Sequence, residues 1–152
     1  MMRALARIAR IRRNDDGSMA IETAFVAPIL LVLALGGFEV SSMVARQTEL
    51  QSAAAEAAAV VRATIPDTAE KRTTVRNILA TSTGLENDQV TVSEIYRCGT
   101  AEDYVTTADS CGADVEYTFI KVDISDTYTP IWTTFGVTAG FDFNVSRTVQ
   151  IG

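Results

Sequence analysis

Residues 23–38 read TAFVAPILLVLALGGF and contain no charged side chain over 16 positions. A bilayer core about 30 Å thick needs roughly 20 helical residues to cross it. The uncharged run is slightly short, and residues 41–44 (SSMV) extend it, with Glu22 and Glu39 near its two ends. A charge at the bilayer centre is costly, so we expect both carboxylates to lie near the membrane surfaces. The stretch predicts one transmembrane helix over residues 18–44.

The charges on either side of this run predict its orientation. Five arginines precede it, namely Arg3, Arg7, Arg10, Arg12 and Arg13. The positive-inside rule therefore places residues 1–17 in the cytoplasm as a basic leader and the residues after the helix outside. The whole chain carries a net charge of −6 in spite of this leader, so its exported part is strongly acidic. An acidic domain without a basic stripe lacks the electrostatic attraction that nucleic acids need, and we expect no nucleic-acid partner.

A cleaved secretory signal has the same order of basic and apolar segments. Its apolar region is shorter, at roughly 7 to 15 residues, and ends in a small-residue cleavage site. The alanine-rich stretch at residues 53–59 offers such small residues. The longer apolar run and its passage into a further helical pattern favour an anchor that stays on the protein.

The junction before the apolar run carries a second signal. Residues 15–22 read DDGSMAIE, so Gly17 precedes the run and Glu22 is the fifth residue after that glycine. This spacing behind a basic leader resembles the type IV prepilin processing site, which a membrane peptidase cuts after the glycine. The resemblance implies cleavage between Gly17 and Ser18. The new α-amino group would then be a cation that Glu22, one helical turn away, can pair with in an apolar bundle.

The wider stretch at residues 17–39, GSMAIETAFVAPILLVLALGGFE, resembles the N-terminal region of TadE-like proteins, pseudopilins of the tight adherence (Flp) pilus system. The shared pattern begins with a glycine and, a few residues later, a small residue, an apolar residue and a glutamate. The sequence Ala-Phe-Val-Ala-Pro, which ends at Pro28, and a leucine-rich run come next. A Gly-Gly pair and a second glutamate end the pattern. An aromatic residue often follows the first glutamate in this system, whereas Thr23 follows it here and Phe25 comes later. Beyond these residues only the general layout is similar, a long helix followed by a β-rich exported end.

The helical pattern continues beyond the membrane segment. One stripe follows alternating steps of three and four, and all its members except Gln47 are apolar or small: Val40, Met43, Gln47, Leu50, Ala54, Ala57 and Val61. One helix is therefore predicted from Ser18 to Ala63, ending before Ile65 and Pro66. This stripe can pack on the protein's own exported domain or on partner helices, and the sequence leaves both open.

The exported residues 66–152, after the helical continuation at 45–65, predict a small α+β domain. A second helix is expected with Asp67 as its N-cap and Gly84 as its stop. Three strands are expected, over residues 89–96, 115–124 and 141–151. The apolar phase of the second strand shifts near Phe119 and Ile120, which indicates either a bulge or burial on both faces. The fold class is a long N-terminal helix on a three-stranded antiparallel sheet with a short second helix.

The cysteine and histidine content limits the kinds of catalytic and metal-binding site that we expect in this chain. The chain has two cysteines, Cys98 and Cys111, and no histidine. Two cysteines this close in an exported domain predict a disulfide. The absence of histidine removes the common nucleophile-base sets and most zinc sites, so we expect no catalytic residues, no metal and no cofactor. Residues 127–136, TYTPIWTTFG, hold several aromatics that either close the end of the core or form a contact surface.

The resemblance implies a function as a minor pilin or pseudopilin with a structural role in pilus assembly and surface adherence, and not as an enzyme. Its expected partners are other pilins, a prepilin peptidase, the pilus platform of the bacterial inner membrane and membrane lipid. The alternative is an unprocessed single-pass membrane protein whose exported domain binds an envelope partner.

Overall fold

The computed structural model describes residues 16–137 and 139–152, and the basic leader expected at residues 1–15 lies outside them. The chain forms two compact units that meet between Ser41 and Ser42. The elements in chain order are α1 (Asp16–Thr64), α2 (Ala69–Thr83), β1 (Val90–Cys98), β2 (Glu116–Tyr128), a 3₁₀ helix (Ile131–Phe135) and β3 (Phe141–Gln150). The predicted fold class, a long N-terminal helix with a short second helix and a three-stranded antiparallel sheet, is confirmed.

The first unit contains the apolar part of α1. Almost every large apolar side chain between residues 19 and 38 is exposed, with Leu31 at 64% and Phe25 at 72%. Pro28 lies inside the helix without ending it. Within the described residues, α1 is the one helix long and apolar enough to cross a membrane. An all-round apolar surface of this kind is typical of a membrane-spanning helix.

The second unit is built around a sheet with strand order β1-β2-β3, all pairs antiparallel. Its core contains one stripe of α1, where Leu50, Ala54, Ala57 and Val61 are fully buried. Valines and isoleucines from one face of the sheet and Val75 and Leu79 of α2 complete the core. The expected packing of the stripe on its own domain is therefore confirmed for its second half.

Strand β2 is buried on both faces and has no bulge. Its register with β1 runs without interruption from Val90 opposite Ile124 to Cys98 opposite Glu116. Ile120 is 0% exposed and lies in the core beside the helices, while Phe119 on the opposite face is 6% exposed. The shift in apolar phase near these two residues therefore reflects burial on both faces.

A disulfide-closed loop covers part of the open face of the sheet, which is the face turned away from the helices. Cys98 and Cys111 are bonded, with their Cα atoms 5.1 Å apart, so the predicted disulfide is confirmed. Within the loop, Val105 exchanges two backbone hydrogen bonds with Tyr96, both at 2.8 Å. The ring of Tyr104 meets Phe119 edge to face at 5.2 Å between centroids. The loop thus shields apolar surface that the helices do not reach.

Helix α2 begins one residue later than the sequence indicates. Its N-cap is Thr68, whose hydroxyl accepts a hydrogen bond from the backbone N–H of Lys71, so the expectation of Asp67 as N-cap is wrong. Asp67 instead accepts a hydrogen bond from Lys71 Nζ at 2.7 Å, which lowers the pKa of that carboxyl. The carboxylate still lies near the helix N-terminus, where the helix dipole favours it.

A polar cluster joins α1 to the sheet within the second unit. Arg46 Nε donates to Asp126 Oδ2 at 2.6 Å, and its Nη1 reaches Glu49 and the carbonyl of Thr83. Burial lowers the pKa of Arg46, but these hydrogen bonds outweigh it and raise the pKa overall. Since Arg46 stays charged, the contact is a permanent ion pair between the helix and β2.

The segment after β2 has a mixed environment. Pro130 is fully buried and Trp132 is half-buried, while Ile131 is 49% exposed. The proline is therefore an interior residue of this segment, whereas the isoleucine leaves an apolar side chain at the surface.

Replacement of Ile120 tests where the core lies. Because the side chain is 0% exposed, Ile120→Ala should lower the free energy of unfolding by about 2–5 kcal/mol. The matched change Ile78→Ala, at a residue that is 53% exposed, should alter it by less than about 0.5 kcal/mol. Chemical denaturation of the full chain in detergent, followed by Trp132 fluorescence, measures both. Equal effects would contradict the core described here.

The disulfide is expected to stabilise the second unit. Cys98→Ser combined with Cys111→Ser should lower the free energy of unfolding by roughly 2–4 kcal/mol, because the open loop gains conformational entropy in the unfolded state. Reductant should produce a similar loss in the unmodified chain and none in the double variant. A double variant as stable as the parent would show that the cross-link contributes nothing to the fold.

Candidate processing site and assembly helix

The predicted cleavage site lies in the first turn of α1. The helix begins at Asp16, so Gly17 and Ser18 are already helical, and both are exposed. A Cβ atom built on Gly17 would meet nothing within 4 Å, and the glycine does not adopt a positive φ. The described structure therefore does not itself require glycine at this position. A requirement for glycine here has to come from something that binds the segment, such as a peptidase.

Glu22 lies one helical turn after Ser18 on the same side of α1. Its side chain is exposed and has no hydrogen bond or ion pair among residues 16–137 and 139–152. A carboxylate in this position is available to a cation from outside the described structure. The structure thus brings Ser18 and Glu22 together, but it leaves their roles in processing and assembly as predictions.

The residues that follow Glu22 keep the helix regular. The hydroxyl of Thr23 donates to the carbonyl of Met19 at 2.8 Å, which satisfies this polar side chain locally. Pro28 lacks the N–H that would bond to Ala24, and membrane helices tolerate such a loss. The presence of Thr23 and Pro28 in this helix is therefore explained without a functional role for either residue.

The glycine pair at Gly36 and Gly37 lies inside α1. Glycine in a helix interior costs about 1 kcal/mol relative to alanine. A Cβ built on either residue would meet nothing within 4 Å. As with Gly17, no close approach within the described structure explains the choice of glycine.

Within the described ranges, no group of three or more Cys, Asp or Glu residues is placed to hold a metal ion. Cys98 and Cys111 are joined to each other and lie in the second unit, apart from the helix start along the chain. The features with functional character are thus the helix start, Glu22 and the exposed apolar surface.

Sequence reasoning missed the pairing of Arg46 with Asp126. The partner carboxylate, Asp126, lies 80 residues further along the chain than Arg46. No local pattern relates two residues at this separation, so no sequence signal was available to find the pair.

Comparison with known proteins adds one match. Residues 17–59 match the family model of TadE-like proteins. Neither the curated proteins nor the solved structures contain a significant match to the chain. The matched range begins at Gly17 and continues into the buried stripe of α1. The resemblance noted in the sequence is therefore confirmed for the N-terminal segment, which is similar to TadE-like proteins over residues 17–59.

Proposed function

We propose that this protein is a pseudopilin of the Tad (Flp) pilus system with a structural role in pilus assembly and surface adherence. The observation that carries the proposal is the TadE-like match, which starts at Gly17 and covers a helix with an exposed apolar surface. In this proposal the leader lies in the cytoplasm, α1 anchors the chain in the bacterial inner membrane, and the second unit is exported.

Processing is the first step of the proposed function. A prepilin peptidase on the cytoplasmic side of the membrane cuts between Gly17 and Ser18 and removes the basic leader. The open surroundings of Gly17 support this step, because a small residue free of contacts is accessible to a protease. The product begins with a positively charged α-amino group at Ser18.

Assembly is the second step. The exposed apolar side chains of α1 contact lipid before assembly and other pilins or pseudopilins afterwards. The new α-amino group pairs with Glu22 of the same chain or of a neighbour, which removes an isolated charge from an apolar bundle. The inner-membrane platform of the pilus is the further partner in this scheme. No step requires an enzymatic activity of the chain itself or a cofactor.

A second candidate is an unprocessed single-pass membrane protein. The exported unit has its own core and a disulfide, features that also suit a stable domain that binds an envelope partner. The two candidates differ in the N-terminal residue of the protein found in the membrane.

Substitution of Gly17 distinguishes them. In cells that make the prepilin peptidase, the mature protein should begin with Ser18, and Gly17→Leu should retain the full leader because the larger side chain blocks the cleavage site. Mass spectrometry of the N-terminal peptide from the membrane fraction measures this. Gly37→Leu makes the same change in the same helix and should still be processed. An intact leader in the unsubstituted protein would contradict processing and favour the second candidate.

Glu22→Gln separates processing from assembly. The change removes the charge and keeps the size, so cleavage after Gly17 should continue while the amount of sheared pili falls at least about tenfold, a loss equivalent to roughly 1.4 kcal/mol. Glu49→Gln, on the exported part of the same helix, serves as the control and should leave pilus yield unchanged. Normal pilus yield with Glu22→Gln would show that Glu22 has no part in assembly.

A further inference from the structure

The turn segment, residues 129–137 between β2 and β3, combines exposed apolar side chains with an absence of charge. It lies within residues 127–141, which form the longest uncharged run after the apolar part of α1. Ile131 is 49% exposed, Val137 is 67% exposed and Trp132 is half-buried. Exposed apolar side chains grouped in one short segment mark a contact with a protein or a membrane.

The backbone of the turn segment forms hydrogen bonds within the segment itself. Its 3₁₀ helix, Ile131–Phe135, is followed by Gly136 in the left-handed conformation, with φ of 73°. The N–H of Gly136 donates to the carbonyl of Thr133 at 3.0 Å, and the N–H of Val137 donates to the carbonyl of Trp132 at 3.4 Å. Backbone groups that are bonded in this way tolerate an environment with little water.

The polar side chains of the turn segment are also bonded locally. The hydroxyl of Thr133 donates to the carbonyl of Pro130 at 2.8 Å, and the hydroxyl of Thr134 donates to the carbonyl of Ile131. A hydroxyl that already has an acceptor loses little when water is removed from it. The segment can therefore enter an apolar environment without leaving these donors unsatisfied.

The part of α1 in the second unit begins at the end of the sheet that carries the turn segment. Arg46 Nε lies 2.6 Å from Oδ2 of Asp126, near the end of β2. Arg72 bonds both to the carbonyl of Pro66, just after α1, and to Glu94 of β1, whose partner in β2 lies well before Asp126. Within this unit α1 therefore runs from the Asp126 end of the sheet toward the other end.

A groove at the same end is formed by the start of this helical part and β3. It has a volume of about 290 Å³, and its lining includes Met43, Val44 and Phe143. Phe141, two residues before Phe143 on the same face of β3, is 38% exposed. Met43 and Val44 end the predicted membrane span at residues 18–44 and also belong to the second unit. Chain connectivity alone therefore keeps this groove next to the place where the chain leaves the membrane.

We propose that the turn segment lies on the bilayer surface, near the point where α1 enters it, and places Ile131, Trp132 and Val137 among the lipid headgroups. Tryptophan is enriched at this depth because its ring is apolar and its N–H is polar. This contact rests on the anchoring of α1 in a membrane, which is part of the proposed function, and does not depend on processing at Gly17. It gives the second unit a membrane contact of its own.

Continuity with the predicted span favours lipid over a protein partner, because lipid is present wherever α1 is anchored. Charge gives the binding its character. The turn segment has no charged residue, and the nearby Asp126 is paired with Arg46. The whole chain has a net charge of −6, so anionic headgroups do not attract it. Apolar burial is the source of binding, and the contact should persist in zwitterionic lipid and at high salt.

Trp132 reports on the contact directly, because it is the only tryptophan of the chain. The full chain is reconstituted into phosphatidylcholine vesicles whose lipid is brominated near the top of its acyl chains, since bromine quenches indole rings close to it. We expect brominated lipid to lower the emission of Trp132 at least about twofold relative to ordinary lipid. The same loss should be found at low and at high salt.

Val137→Asp tests whether the turn segment itself makes the contact. A carboxylate is unfavourable at this depth, so the quenching of Trp132 should fall at least about twofold. Val115→Asp is the matched control and should leave the quenching unchanged, because Val115 is 63% exposed and precedes β2 at the opposite end of the sheet. An unchanged melting midpoint and retention of the Cys98–Cys111 bond verify that both variants are folded.

Flotation of the vesicles separates this contact from the anchor. A chain that does not float with the vesicles would contradict anchoring by α1 and the turn-segment contact together. A chain that floats but gives the same emission in brominated and ordinary lipid would overturn the contact alone. Equal quenching in Val137→Asp and Val115→Asp would do the same. Protection of Trp132 from aqueous acrylamide only at a high ratio of protein to lipid would assign the surface to a second copy and also overturn the proposal.

Discussion

Burial of one stripe of α1 against the sheet is the interaction on which the second unit depends. Leu50, Ala54, Ala57 and Val61 occupy the centre of its core and are 0% exposed. The ion pair between Arg46 and Asp126 joins the same helix to β2 at a further point. The sheet has no second layer of comparable length, so loss of this stripe would expose its apolar face.

The other face of the sheet is protected in a different way. The loop closed by Cys98 and Cys111 brings Tyr104 onto Phe119 and pairs Val105 with Tyr96. Burial raises the pKa of Tyr96, and the neighbouring Glu94 adds to this effect because a second negative charge is unfavourable there. A small domain with a limited core gains both coverage and cross-linking from one short loop. The remainder of this face, rich in serine, threonine and asparagine, stays open to solvent.

The first unit follows a different constraint, because its apolar side chains are not buried by the chain itself. Leucines and phenylalanines over residues 19–38 are exposed, which is typical of a helix that can cross a membrane. The TadE-like match at residues 17–59 covers most of this helix. The two units thus use one continuous helix in two environments.

Local sequence patterns determined much of this protein: the apolar run of α1, the buried stripe from Leu50 to Val61, the alternation of β3 and the nearby cysteine pair. Each of these features depends on residues close together in the chain. The spacing of apolar residues, or of the two cysteines, therefore predicts them without knowledge of the tertiary structure. The tertiary structure alone decided the pairing of Arg46 with Asp126 and the burial of β2 on both faces. Both depend on how distant segments pack. The positions of β1 and β3 at the two edges of the sheet likewise became visible only once the strand order was known, because the sequence of a strand does not state which neighbours it has.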